Sequence, residues 1–229
     1  MSHNKIILFG NGKIADVLFY YLKNHSEYEV VAITVDRYFI NNSKSWNGLP
    51  LIPFDQIQSE FPCIDYKMFI ALGYQDLNRL RESKFIEAKK KGYELISYVH
   101  PDAGLPLDCK FGENCFVMQN SLIHPKVTLG NNVFVWSGAM IGHHSNIGDH
   151  CWLTSGCNVS GVVTMGKNCF LAVNSTIAHT VQVGNNCFIG ANTLVTKCTD
   201  DDEVYLAEST KPFRLNSNQF LRMSNFSDL

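Results

Sequence analysis

The residues of this 229-residue chain best suited to chemistry recur at one fixed spacing. Pro125-Lys126, His143-His144, Gly161-Val162, His179-Thr180 and Lys197-Cys198 follow one another every eighteen residues. An imidazole titrates near neutral pH and can take a proton from an attacking nucleophile, and a glycine leaves its backbone amide bare. A second group opens the chain. Ile6-Ile7-Leu8-Phe9 reads as a strand, and Gly10-Asn11-Gly12-Lys13-Ile14-Ala15 as a glycine turn entering a helix. About 20 residues on, the strand Glu29 to Val35 ends in Asp36, a dinucleotide-type arrangement with alanine at the third position of the fingerprint. Such a turn presents backbone N–H groups to phosphate at a helix N-terminus.

Both groups need a scaffold, and the sequence specifies two different ones. Every sixth residue from Phe111 to Val195 is apolar without exception. Two residues before each stands a small residue, and six of the eight cysteines (109, 115, 151, 157, 169 and 187) take that slot. Side chains alternate along a strand, so both members of each pair point inward, one bulky and one small. Free cysteine packs there as a small hydrophobe. Three hexads make one coil, as the repeats Gly112-Glu113-Asn114-Cys115-Phe116 through Gly184-Asn185-Asn186-Cys187-Phe188 show. Fifteen hexads predict five coils, stacked about 4.8 Å apart in a triangular parallel β-helix roughly 24 Å long. Two corners carry ladders suited to the left-handed region: Asn114, Asn132, His150, Asn168, Asn186, and Asn120, Gly138, Gly156, Asn174, Asn192. The third corner, with the histidine pair, follows no turn rule, and local rules fail most often at functional sites.

Charge divides the chain in the same way. Of 40 charged residues, 24 lie in 1–102 and nine in 199–229, leaving seven in 103–198. The expected division is a nucleotide-binding α/β domain over 1–100 with a small Rossmann-like parallel sheet, the β-helix over 101–198, and a tail over 199–229. The formal net charge of −2 gives no footprint for nucleic acid or an anionic membrane. No apolar run approaches the roughly 18–20 residues that span a bilayer, so a cytoplasmic protein is expected. Without a Cys-x-x-Cys pair, the cysteines suggest neither a disulfide framework nor a zinc site. His143 and His179 should stand roughly 10 Å apart along the axis, too far to share one metal ion.

The hexads, the order of the two domains, the junction Tyr98-Val99-His100-Pro101 and the segment Met140-Ile141-Gly142-His143-His144-Ser145-Asn146-Ile147-Gly148 together resemble the sugar acyltransferases of the NeuD/PglD type. The resemblance covers about residues 5–198 and implies a left-handed coil. It implies a homotrimer, with an acyl-CoA thioester lying in a groove between neighbouring subunits. It further implies His143 as general base, with His144 where relatives often carry a glutamate, and Gly161 as the amide aimed at the thioester carbonyl. His179 and Lys197 would line the acyl-donor groove with Gly161. In the first domain Asn11, Gly12 and Lys13 would meet the phosphates or sugar, Asp36 the base or ribose, and Gly73 and Tyr74 the opposite lip. The glycine loop is one residue shorter than the usual Gly-x-x-Gly-His-Gly form and lacks its histidine. The tail lacks the Gly-x-Pro-Ala turn near which relatives end, while Lys211 and Arg214 stand where they could meet CoA phosphates.

The expected activity is transfer of an acetyl group from acetyl-CoA to the amine of a nucleotide-linked 4-amino-4,6-dideoxyhexose. That step belongs to the O-antigen and lipopolysaccharide class of surface-glycan synthesis, and it calls for no metal. Two alternatives remain at this level: a sialic-acid-type sugar O-acetyltransferase, and a non-catalytic trimeric scaffold that binds a nucleotide. An NAD-dependent oxidoreductase is a more distant one.

Overall fold

The computed structural model describes residues 4–40 and 44–223. The first domain is built on β1 (Lys5–Phe9), α1 (Lys13–His25), β2 (Glu29–Val35), β3 (Ser45–Trp46), β4 (Leu49–Pro53), α2 (Ile57–Glu60), β5 (Lys67–Ile70) and α3 (Arg79–Lys90). The strand order is β3-β4-β2-β1-β5, parallel except for the antiparallel edge pair β3 and β4. Residues 93–98 add no further strand to this sheet. Leu95 makes a single bridge to Met68, and Tyr98–Val99 instead pair with Phe116–Val117 of the β-helix. Gly10 ends β1 at φ +125°, and a Cβ there would stand 2.8 Å from the Ala71 carbonyl oxygen, so only glycine lets these two strand ends approach.

From Lys110 the hexads form two-residue strands in three parallel ladders, as their period predicts, and build a left-handed β-helix of five coils. Face one carries Lys110, Thr128, Asn146, Thr164 and Gln182; face two carries Phe116, Phe134, Trp152, Phe170 and Phe188; face three carries Leu122, Met140, Asn158, Thr176 and Leu194. Face two is extended at its ends by Tyr98–Val99 and Val204–Tyr205. Inside, the apolar residues and the small slots form one continuous buried core that includes Cys115, Cys151, Cys157, Cys169 and Cys187. The Cys115, Cys151 and Cys169 thiols each donate to a carbonyl one coil on, at 3.1 Å. Burial pushes the Cys115 thiol up to about 11 and the Cys157 thiol up to about 12, so both stay protonated.

Face two is covered by the chain's own first domain. Its outward aromatics pack with Ile6, Leu8, Leu18, Leu22 and Phe69 in one buried cluster. Phe134 stacks on Trp152 at 5.0 Å and Phe170 on Phe188 at 5.0 Å, close to the spacing of stacked strands. Each such ring contributes about 1.5–3 kcal/mol by leaving water. The first-corner ladder also serves the domain junction: Asn114 Oδ1 accepts from the Ile70 amide at 2.7 Å, and Asn114 Nδ2 donates to Asn132 Oδ1 at 2.8 Å. Arg81 of α3 is fully buried there. It donates to the Asn132 carbonyl, to the His150 carbonyl at 3.0 Å and to Asn78 Oδ1 at 2.9 Å, with its guanidinium 4.3 Å from the Phe134 ring centre.

The third corner turns through the left-handed region like the other two, without glycine or asparagine. Lys126, His144, Val162 and Thr180 have φ of 68°, 57°, 61° and 63°. For a β-branched residue such as Val162 this is an uncommon and strained conformation. It is held by the coil below: the Val162 amide donates to the His143 carbonyl at 2.8 Å, and the Thr180 amide to the Gly161 carbonyl at 3.1 Å.

Candidate active site

Coil stacking brings His143, His144, Gly161 and His179 together on the third corner, the edge between faces three and one. The histidines are exposed and Gly161 is half-buried. The His143 ring leans along the axis over Gly161, so a Cβ built on Gly161 would stand 2.8 Å from His143 Nε2. Because nothing but hydrogen stands on Gly161, His143 and His179 approach to 6.2 Å between ring centres. The sequence estimate of roughly 10 Å follows the strand spacing alone and overlooks this lean. Among the described residues, nothing accepts a hydrogen bond from the Gly161 amide.

His143 Nδ1 lies 3.1 Å from His144 Nδ1, with the rings nearly perpendicular at 86°. Behind the pair, the buried Ser145 hydroxyl donates to the Ser160 carbonyl at 3.0 Å and accepts from the Val163 amide at 3.1 Å. It ties the histidine turn to the Gly161 turn. Lys126, one coil below, is paired with Asp108 at 2.9 Å, and Lys197, three coils above His143, is exposed. Among the described residues, no group of three or more His, Cys, Asp or Glu side chains is placed to hold a metal ion.

In the first domain, Asn11, Gly12 and Asp36 line a cavity of about 250 Å³ with Phe9, Phe39 and Leu80. A neighbouring hollow of about 280 Å³ holds Gly12, Lys13 and Gly73 at the N-terminus of α1. Asp36 is not a free acid: its Oδ1 accepts from Lys84 Nζ at 2.8 Å. Burial works to lower the Lys84 pKa, but the bonds to Asp36 and Glu87 outweigh it and hold the amine above its ordinary value. Tyr74 lines neither cavity. Its ring stands 4.7 Å from Phe170 and 5.4 Å from Trp152, on the domain junction rather than the expected lip.

Residues 108–143 and 162–197 match the family model "Bacterial transferase hexapeptide (six repeats)". Both matched stretches lie within the three ladders of the β-helix. The hexapeptide-repeat chain shares its fold with PerB from Caulobacter crescentus, whose structure holds CoA and GDP-perosamine. There the TM-score is 0.78 at 24% identity, over 88% of this chain and 93% of that one. The acetyltransferase domain of PglB from Neisseria gonorrhoeae gives 0.77 at 21% identity, over 88% and 96%. The same domain in complex with acetyl coenzyme A gives 0.74, also at 21%, over 88% and 95%. None of the curated protein sequences matches.

Three further residues shape these sites without a distinctive signal in the sequence. Ser145 looks like any other small-slot residue, although a hydroxyl among cysteines and valines marks a slot with hydrogen bonds to make. Lys84 sits 48 residues from Asp36, so only the tertiary fold pairs them. Phe39 carried no periodic signal.

Proposed function

We propose that the protein is an acyl-CoA-dependent N-acyltransferase whose acceptor is the amine of a nucleotide-linked 4-amino-4,6-dideoxyhexose. The observation that carries this reading is the third corner, where His143 stands against Gly161, whose amide makes no hydrogen bond among the described residues. In the proposed reaction the amine attacks the thioester carbonyl carbon while His143 Nε2 takes its proton. The Gly161 N–H meets the developing oxyanion, and CoA leaves as the thiolate. An aimed amide of this kind contributes several kcal/mol, about 2.7–4 in well-studied cases. His179 and Lys197 flank the donor along the same edge. The CoA and nucleotide-sugar ligands of the structural neighbours support the choice of donor and acceptor class.

The nucleotide is assigned to the first domain. Asn11, Gly12, Lys13 and Gly73 surround the N-terminus of α1, where a diphosphate is favoured, and the apolar cavity beside Asp36 suits a flat base. That domain packs on face two, whereas the His143 corner lies between faces three and one, on the far side of the prism. One chain therefore separates its nucleotide cavity from its histidines. The reading joins them across neighbouring copies in a homotrimer.

The test is thiol release from acetyl-CoA with UDP-, GDP- and dTDP-linked 4-amino-4,6-dideoxyhexoses, followed by mass spectrometry of the product. Acetyl transfer to nitrogen with one of them is expected. Transfer only to a hydroxyl, or no thiol release with any acceptor, overturns the reading.

A further inference from the structure

A left-handed conformation is costly for any L-residue other than glycine, and where it occurs it is taken singly rather than in runs. Asp76, Leu77 and Asn78 take it in succession, at φ of 49°, 49° and 67°. The turn joins β5 to α3 and is closed by its own backbone. The Asn78 amide donates to the Tyr74 carbonyl at 3.2 Å, and the Arg79 amide to the Asp76 carbonyl at 3.0 Å. Strain of this kind persists only where the surrounding structure imposes it, and it gathers at binding sites.

The β-helix imposes it here. Asn78 is the N-cap residue of α3, where an asparagine side chain ordinarily accepts from the helix's own amides. It makes no such bond. Fully buried, it reaches across the domain junction instead, and its Nδ2 donates to the Asn168 carbonyl at 3.4 Å and the Cys169 carbonyl at 3.3 Å. Its Oδ1 accepts from Arg81 at 2.9 Å, and because a guanidinium only donates, that contact fixes which end of the amide faces the carbonyls. Tyr74 on Phe170 and Trp152, with Leu77 in the junction cluster, holds the turn against face two.

The same turn separates residues that border the nucleotide cavity. Leu72 and Gln75 precede it and Leu80 follows it, and all three line the cavity beside Asp36. Gln75 also borders the hollow at the N-terminus of α1, its side chain lying over Gly73 with Oε1 3.1 Å from where a Cβ would stand. The helix that starts at this turn carries Lys84 to Asp36. We infer that Asn78 is a positioning residue for the nucleotide: by fastening the left-handed turn to the β-helix, it holds Gln75 and Leu80 in place around the cavity. The inference rests on the assignment of the nucleotide to the first domain. A cavity wall already held in place spares the ordering cost that a loose one would add to binding.

Two glycine substitutions separate this role from general support of the junction. Glycine suits the left-handed region, so Asn78→Gly leaves the turn accessible and removes its anchor. Asn114→Gly does the same to a second asparagine of the junction, at φ 57°. The bonds of Asn114 to the first domain go to Ile70 of β5, a strand that its ladder with β1 also holds. In titration calorimetry with UDP, GDP and dTDP, Asn78→Gly should raise the Kd of whichever the wild type binds at least about tenfold. The Kd of CoA should not change, since its assigned corner lies on the far side of the prism. Asn114→Gly should leave both affinities near the wild type. In turnover, Asn78→Gly should raise KM for the nucleotide sugar with kcat held. Hydrogen exchange without ligand provides a further readout: the amides of 72–80 should lose protection in Asn78→Gly and keep it in Asn114→Gly. Unchanged nucleotide affinity in Asn78→Gly, or an equal loss in both variants, would overturn the inference. If the wild type binds none of the three nucleotides while the exchange result stands, the assignment of the nucleotide fails, and with it the part of Asn78 in binding, but the fastening of the turn does not.

Discussion

His143 and Gly161 are complementary: the imidazole fills the space that a side chain at position 161 would need, with Nε2 2.8 Å from the Cβ that any other residue would carry. Gly161 is therefore required for the room it leaves as well as for its amide. Its own backbone is not in the left-handed region, since the turn residue is Val162 at φ 61°. Gly161→Ala should fold, with stability changed by no more than about 1 kcal/mol. It should displace the His143 ring and lower kcat at least about tenfold. Thermal unfolding and steady-state kinetics on the same sample check this, and an unchanged kcat would show that the contact is incidental.

Arg81 fastens the two domains. Its guanidinium is buried, bonded to two corner carbonyls and laid against Phe134. Arg81→Met keeps much of the packing but leaves the Asn132 and His150 carbonyls without their donor. The expected loss is about 3 kcal/mol or more, from hydrogen bonds to a charged group. Chemical denaturation monitored by tryptophan fluorescence, with Trp152 at this junction, measures it.

His150 stands in an asparagine ladder and carries a pH dependence that asparagine would not. Burial, with Arg81 nearby, holds its imidazole below the ordinary value of 6.5, although Glu82 pulls the other way. The unfolded chain therefore binds a proton that the native state resists, and stability should fall as pH drops below about 6.5. His150→Asn keeps the left-handed turn and should flatten this part of the pH–Tm curve. A wild-type curve already flat between pH 7 and 5 would contradict the assignment.

The cysteines should react in the order of their exposure. Cys198 is exposed, Cys63 and Cys109 are partly covered, and the other five are buried. A thiol reagent at neutral pH should label Cys198 first and leave Cys115, Cys151, Cys157, Cys169 and Cys187 unlabelled until denaturant is added. Peptide mapping after labelling decides it.

These residues also show what the sequence could and could not convey. Fifteen hexads and two asparagine-type corners dictate the β-helix, because each repeat makes the same local demand and only stacking satisfies it. The third corner was visible as a break in that rule, and it is there that His143, His144 and Gly161 meet. The lean of His143 over Gly161 was not legible, since coil spacing says nothing about rotamers. The fate of Tyr74 was hidden too: its place on Trp152 and Phe170 depends on how the first domain docks, which no local pattern encodes. The cover over the face-two aromatics also depends on how the first domain docks.

Under the proposed function, the third corner performs acyl transfer with His143 as the base. The most direct measurement is kcat of His143→Ala with acetyl-CoA and the accepted aminosugar nucleotide, on protein whose unfolding curve and oligomeric state match the wild type. A fall of roughly 10²–10⁴ is expected. A kcat near that of the wild type would contradict it.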